Sequence, residues 1–146
     1  MREFAIVGRP NAGKTLFALN FAAFLGNRVV EVVARSHDGL ITCRRLGIEE
    51  ARHELCSPEA HRTRSLQSMT LKAPLGKITG EFKLTDSCGL SSSIHPDDAV
   101  RLGMAQTLGL IRSAGFVLHV IDLTFRDLAD PTDAEVYGYG ALKSGY

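Results

Sequence analysis

The sequence has no tryptophan and few aromatic residues, and it contains only three cysteines, Cys43, Cys56 and Cys88. The number of cysteines is odd, and no pair has the CxxC spacing of a zinc or redox motif. Reduced thiols are the default in such a chain, so we expect neither a disulfide scaffold nor a zinc knuckle.

The sequence also lacks an excess of either charge and a long apolar run. Seventeen basic residues oppose sixteen acidic ones, giving a net charge of +1, which does not indicate a general nucleic-acid or membrane binder. No apolar run approaches the roughly 20 residues that span a bilayer, and the start of the chain lacks the pattern of a signal peptide. We therefore expect a cytoplasmic protein with no membrane span, and its 146 residues indicate one domain.

What the sequence does contain is an alternation of short apolar runs and helical patterns. Apolar and β-branched runs predict strands, and apolar residues at helical spacing predict helices between them. Two alternating segments around Pro74 to Gly80 predict an antiparallel strand pair. The predicted strands are 4–7, 29–34, 40–46, 69–73, 82–84 and 116–121, and the predicted helices are 14–25, 48–56, 99–114 and 133–146. This order predicts an α/β fold with a mostly parallel sheet.

The segment from Gly8 to Thr15 matches G-x-x-x-x-G-K-[ST] and lies between the first predicted strand and helix. Its glycines allow a tight turn whose N–H groups face a phosphate, and the following helix adds its positive N-terminal end. Lys14 would contact the β- and γ-phosphates, and the Thr15 hydroxyl would ligate Mg²⁺. The predicted phosphate-binding residues are Gly8, Arg9, Pro10, Asn11, Ala12, Gly13, Lys14 and Thr15.

This loop, read as GRPNAGKT, resembles the GxPNxGK[ST] loop of the TrmE–Era–EngA–HflX class of translation-factor-related GTPases. In that class a D-x-x-G motif follows, and Asp86-Ser87-Cys88-Gly89 stands at a predicted strand end, although Ser87 and Cys88 depart from the usual D-T-P-G. The resemblance implies that Asp86 holds Mg²⁺ through its water shell and that the Gly89 N–H contacts the γ-phosphate. The alternative for Asp86 is a carboxylate that caps a turn.

The resemblance also implies a threonine from the first switch as a second Mg²⁺ ligand. His61-Arg62-Thr63-Arg64 is similar to the family pattern, so Thr63 is the predicted ligand. Thr70 is the rival, but the alternation of apolar residues places it inside a strand. A loop threonine without any ligand role is an equal alternative for Thr63.

Leu90 follows the D-x-x-G motif, where Ras-like proteins have a glutamine that positions the attacking water. In GTPases of the similar class with a hydrophobic residue there, the loop asparagine helps to coordinate a K⁺ ion that replaces an arginine finger. Asn11 matches that asparagine, so the resemblance implies Lys14 and Asn11 as catalytic residues and Mg²⁺ with K⁺ as cofactors. The alternative for Asn11 is a residue that only shapes the turn.

The chain departs from the family because it has no N-K-x-D motif for guanine. We interpret residues 1–146 as the N-terminal part of a single GTP-binding domain, truncated before that motif, with an insertion at about 27–62. Acidic residues nearly balance the arginines of the insertion, which favours an ordinary solvated surface. An RNA or ribosomal partner is implied by the resemblance alone, as is GTP in preference to ATP.

The predicted fold is a P-loop NTPase three-layer fold with a mostly parallel sheet and one antiparallel strand pair, incomplete at its C-terminus. Three functional hypotheses remain for it. The first is Mg²⁺-dependent hydrolysis of GTP to GDP and phosphate as a conformational switch. The second is a nucleotide-binding module, for GTP or ATP, with little hydrolysis, because the water-positioning glutamine is absent. The third is an incomplete fragment without independent activity.

Overall fold

The computed structural model describes residues 1–36, 38–56, 65–91 and 96–124, and within them the chain forms six strands and three helices. The predicted helix 133–146 lies outside the described residues. Among those residues, no helix is both long and apolar enough to cross a bilayer. The elements are β1 (Arg2–Gly8), α1 (Lys14–Phe24), β2 (Val29–Arg35), β3 (Ile41–Gly47), α2 (Ile48–Cys56), β4 (Leu66–Leu75), β5 (Ile78–Asp86), α3 (Asp98–Ser113) and β6 (Phe116–Val120).

The six strands form one mixed sheet in the order β3-β2-β4-β5-β1-β6. Strand β1 pairs in parallel with β5 on one side and β6 on the other. The pairings β2–β3, β2–β4 and β4–β5 are antiparallel, so antiparallel pairs are in the majority. The predicted P-loop NTPase three-layer fold is therefore wrong, because it required a mostly parallel sheet with one antiparallel pair.

The physical reason lies in the segment that was predicted to be an insertion. Strands β2 and β3 are joined by a short turn in which the Ser36 N–H donates to the Leu40 carbonyl at 3.0 Å. A connection this short can only reverse the chain, because parallel neighbours need a long crossover. Strand β2 then pairs with the edge of β4, so the hairpin lengthens the sheet instead of standing apart from it.

The second hairpin is tighter than its sequence predicts. The sequence predicts that Pro74 to Gly80 connects two short strands, but β4 and β5 remain paired as far as Leu75 and Ile78. Only Gly76 and Lys77 are left for the turn, where Gly76 has a φ of 65°. A two-residue hairpin needs such a left-handed residue, and glycine adopts it without steric cost.

Helices cover both faces of the sheet. Alternate residues of β1 point in opposite directions, so Ile6 enters one apolar cluster and Ala5 and Val7 enter the other. The first cluster contains buried residues of α1 and α2, including Leu19 and Ala51. The second cluster packs β1 against α3, which contributes Leu110, Ile111 and the adjoining Ala114.

Asn27 joins the end of α1 to the sheet. Its Nδ2 donates to the Lys72 carbonyl at 2.9 Å and its Oδ1 accepts from the Lys72 N–H at 3.0 Å. The same amide nitrogen donates to the Ala22 carbonyl at 3.2 Å in the last turn of α1. The Asn27 side chain thus makes the two backbone hydrogen bonds with Lys72 of β4 that a neighbouring strand would otherwise make.

We expect Asn27→Ala to lower the free energy of unfolding by about 1–2 kcal/mol, because two backbone groups of Lys72 lose their side-chain partner. Urea denaturation of the chain measures the change. Asn27→Asp keeps the acceptor for the Lys72 N–H but turns a carboxylate oxygen toward the Lys72 and Ala22 carbonyls, so its cost should be at least as large. A cost for Asn27→Ala within error of zero would contradict this role.

Candidate phosphate and metal site

The Gly8–Thr15 loop connects the end of β1 to the start of α1. Asn11 and Gly13 adopt left-handed backbone conformations, with φ of 59° and 83°, and the Ala12 N–H donates to the Arg9 carbonyl at 3.3 Å. Asparagine and glycine are the residues that adopt this conformation most readily. The residue types in the loop therefore suit the tight turn in which they are found.

Lys14 is buried in the first turn of α1, with only 7% of its surface exposed. Its Nζ donates to the Arg9 carbonyl at 2.7 Å, so the side chain folds back over the loop. Burial lowers the pKa of Lys14, and the negative charge of Asp86 opposes that change. The first helical hydrogen bond of α1 runs from the Phe17 N–H to the Gly13 carbonyl, which leaves the preceding N–H groups without α-helical acceptors. A cation and helix N-terminal amides together favour an anion.

Asp86 reaches the same place from the end of β5. Because β1 and β5 are parallel, with Ile6 opposite Asp86, the loop after β1 and the end of β5 lie at one edge of the sheet. The Thr15 hydroxyl donates to Asp86 Oδ2. Asp86 has no exposed surface, and its Oδ1 is buried without a hydrogen-bond partner. The fold thus places a hydroxyl, a carboxylate and an ammonium group together.

These oxygen donors fit a magnesium ion. Mg²⁺ takes oxygen ligands and keeps several waters, so it is often held by one or two protein oxygens. The unpartnered Asp86 Oδ1 is an acceptor that a metal-bound water would satisfy, since buried polar atoms are rarely left unpaired. No group of three or more His, Cys, Asp or Glu side chains with metal-site geometry occurs in the described ranges, so the fit depends on the Thr15 hydroxyl and on Asp86, which would contact the ion's water shell.

Gly89 lies directly against the loop. A Cβ atom at this position would be 2.5 Å from both the Cα and the N of Pro10, so only glycine fits there. The Leu90 N–H donates to the Gly8 carbonyl at 3.0 Å, and the Thr107 hydroxyl of α3 donates to the Cys88 carbonyl at 3.3 Å. The segment after Asp86 is therefore held between the loop and α3.

The remaining residues considered above are the predicted ligand Thr63, its rival Thr70, and Leu90, which follows the D-x-x-G motif. Thr63 lies outside the described residues, so the second metal ligand stays a prediction. Thr70 lies within β4, as the alternation indicated, and is exposed. Leu90 is only 5% exposed and belongs to the apolar cluster under α3, so it cannot orient a water molecule.

One residue near the site was missed by the sequence reasoning. Gln67 of β4 is directly opposite Asp86 of β5 in the antiparallel ladder. Directly opposed residues point to the same face of a sheet, so Gln67 lies beside the carboxylate. The alternation that marks β4 and β5 as strands was a usable signal, but the register that pairs these two residues was not predictable from it.

Comparison of the chain with models of protein families gives no match. A search of curated proteins gives none either.

Burial raises the pKa of Asp86 to about 6, against the opposing effects of the Thr15 hydroxyl, the Lys14 charge and the Ser87 N–H. The folded protein thus binds this proton more tightly than the unfolded chain, whose carboxyl titrates near 3.8. Ionised Asp86 therefore destabilises the fold above pH 6, and the penalty disappears as the pH falls below 3.8.

We expect Asp86→Asn to raise the free energy of unfolding of the ligand-free chain at pH 8 by about 2–3 kcal/mol, since it removes the buried charge. At pH 4 the gain should be much smaller, because the wild-type carboxyl is then mostly protonated in the folded state. Denaturant titrations at the two pH values measure both quantities. Asp98→Asn, at an exposed position, is the control and should give no gain; an equal gain at both pH values would contradict the assignment.

Proposed function

We propose that this chain binds the triphosphate of a guanine nucleotide together with Mg²⁺ and hydrolyses GTP to GDP and phosphate, in the cytoplasm. The observation that carries the proposal is the contact between Thr15 and the buried Asp86, beside buried Lys14. Hydroxyl and carboxylate oxygens suit a magnesium ion, while the ammonium group and the α1 amides suit phosphate oxygens. Guanine in preference to adenine rests on the resemblance of the loop.

The anion and the cation are expected to bind together. Lys14 and an ionised Asp86 are buried side by side, and burial disfavours the charged form of each. A Mg²⁺–triphosphate complex supplies a positive ion to the carboxylate and negative oxygens to the ammonium group. A simple anion, such as a carboxylate, would pair with Lys14 but leave Asp86 without a positive partner, so a site for a simple anion is the weaker proposal.

The contact between Gly89 and Pro10 supports a conformational switch. Because Gly89 touches the loop backbone, a γ-phosphate held by the loop would lie near the segment that begins at Asp86. Loss of that phosphate would remove its contact with this segment, while the hydrogen bond from Thr107 on the other side would remain. Nucleotide switches respond to hydrolysis in this way, because segments ordered by the γ-phosphate are released when it leaves.

A binding module with little hydrolysis is the second candidate, and the buried Leu90 favours it. An apolar side chain in the core cannot hydrogen-bond a nucleophile. Hydrolysis then needs another group to stabilise the charge that develops between the β- and γ-phosphates. A monovalent cation at Asn11 or an arginine supplied by a partner protein meets that need.

We expect Lys14→Ala to weaken binding of GTP and Mg²⁺ by at least 30-fold, since truncating one partner of a buried charge contact costs about 2–4 kcal/mol. Titration of the chain with a fluorescent GTP analogue measures the affinity. Lys77→Ala, at an exposed turn, is the matched control and should bind as tightly as wild type. Near-wild-type affinity of Lys14→Ala would remove the basis of the proposal.

We expect the chain to hydrolyse GTP faster in K⁺ than in Na⁺ at equal ionic strength, because Asn11 offers a side-chain oxygen in the loop. Asn11→Gly should abolish the difference with little loss of nucleotide affinity, since glycine keeps the left-handed turn and the loop amides and Lys14 carry the binding. Release of phosphate over time, measured in both salts, gives the rates. Identical wild-type rates would exclude the cation mechanism and favour an arginine from a partner.

A further inference from the structure

Gln67 shares one face of the sheet with the metal-site carboxylate. In the β4–β5 ladder Gln67 is opposite Asp86, just as Met69 is opposite Leu84 two residues further along. Met69 and Leu84 belong to the apolar cluster under α1 and α2, and side chains two residues apart along a strand point to the same face. Gln67 and Asp86 therefore lie together on the side of the sheet where Thr15 meets Asp86.

Two acceptor atoms on this face have no donor. Gln67 Oε1 and Asp86 Oδ1 are both buried, and neither has a hydrogen-bond partner. Leaving such an oxygen unpaired is costly, and a buried acceptor in a native protein normally has a donor or an ion as partner. Two unpaired acceptors on directly opposed residues indicate that a ligand brings the donors.

We propose that Gln67 is a positioning residue for the magnesium ion, accepting a hydrogen bond from a metal-bound water through Oε1 while Asp86 Oδ1 accepts another. This inference rests on the proposed function and deepens it. Mg²⁺ retains several waters when it binds a protein, and those waters are donors only, since their lone pairs face the metal. The neutral acceptor Gln67 Oε1 and the charged acceptor Asp86 Oδ1, on one face of the sheet, can both accept hydrogen bonds from the metal-bound waters.

The test is the Mg²⁺ concentration at which binding of a fluorescent GTP analogue is half-maximal, together with direct Mn²⁺ titration by electron paramagnetic resonance. Gln67→Leu keeps the approximate volume and removes the acceptor, and residues of the outer metal shell typically contribute about 10–100-fold to metal affinity. We therefore expect the half-saturating concentration of either metal to rise by about tenfold or more. The melting temperature should not fall, because a buried unpaired oxygen is removed.

Gln67→Glu separates two roles for this side chain. Glutamate at position 67 retains an acceptor and adds a negative charge, so metal binding should be at least as tight as in the wild type. If the amide served instead as a donor that orients Asp86, Gln67→Glu would lose that donor just as Gln67→Leu does, and metal binding would weaken in both variants. Weakened binding in Gln67→Glu would therefore overturn the inference.

Gln106→Leu is the matched control. Gln106 Oε1 is also buried without a partner, but the residue lies on α3, which packs on the opposite face of the sheet. Gln106→Leu also removes a buried amide oxygen that has no partner, but on the opposite face of the sheet from Asp86, so it should leave the metal dependence unchanged. Equal shifts in Gln67→Leu and Gln106→Leu would show a general structural effect and overturn the inference.

The outcomes distinguish this inference from the function beneath it. Magnesium-dependent nucleotide binding by the wild type, with no change in Gln67→Leu, overturns the role of Gln67 alone. Failure of the wild type to bind the GTP analogue at any Mg²⁺ concentration overturns the proposed function and the inference with it. A rise in half-saturating metal concentration confined to Gln67→Leu supports both.

Discussion

The interaction on which the site depends is the contact between the Thr15 hydroxyl and the buried carboxylate of Asp86. It joins the first turn of α1 to the end of β5, and it does so beside the buried ammonium group of Lys14. Burial opposes the charged forms of both Lys14 and Asp86. Groups held at such a cost are concentrated at functional sites, where a ligand supplies the missing partners.

The site depends on few strand pairings. Strand β1 is parallel to β5, and this single pair brings the Gly8–Thr15 loop and Asp86 to one edge. The antiparallel strands β2, β3 and β4 extend the sheet on the other side of β5, and they do not alter the β1–β5 register that places the loop beside Asp86. A sheet that is mostly antiparallel can therefore carry a loop and a carboxylate in this arrangement, since the local pair and not the average strand direction positions them.

The chemistry follows from which oxygens are satisfied and which are not. Asp86 uses Oδ2 to accept from Thr15 and leaves Oδ1 free, while Gln67 offers a second unpaired oxygen from the opposing strand. Both face the side from which α1 approaches. In contrast, Leu90 is withdrawn into the core under α3. The arrangement offers contacts for a hydrated cation and for phosphates, but Leu90 offers no side chain that could activate water. In the proposed function, the described residues therefore account for binding, and hydrolysis needs a further group.

The sequence by itself determined the local features: the Gly8–Thr15 turn, most of the strands and helices, and the position of Asp86 at a strand end. These depend on residue types and periodicity within short windows, so they can be derived without knowing the rest of the chain. Only the tertiary structure decided the strand order, the addition of the β2–β3 hairpin to β4, the burial of Asp86, and the register that places Gln67 beside it. Pairing and burial arise from contacts between segments far apart in the chain, and the pattern of a single strand does not specify its neighbour or its register.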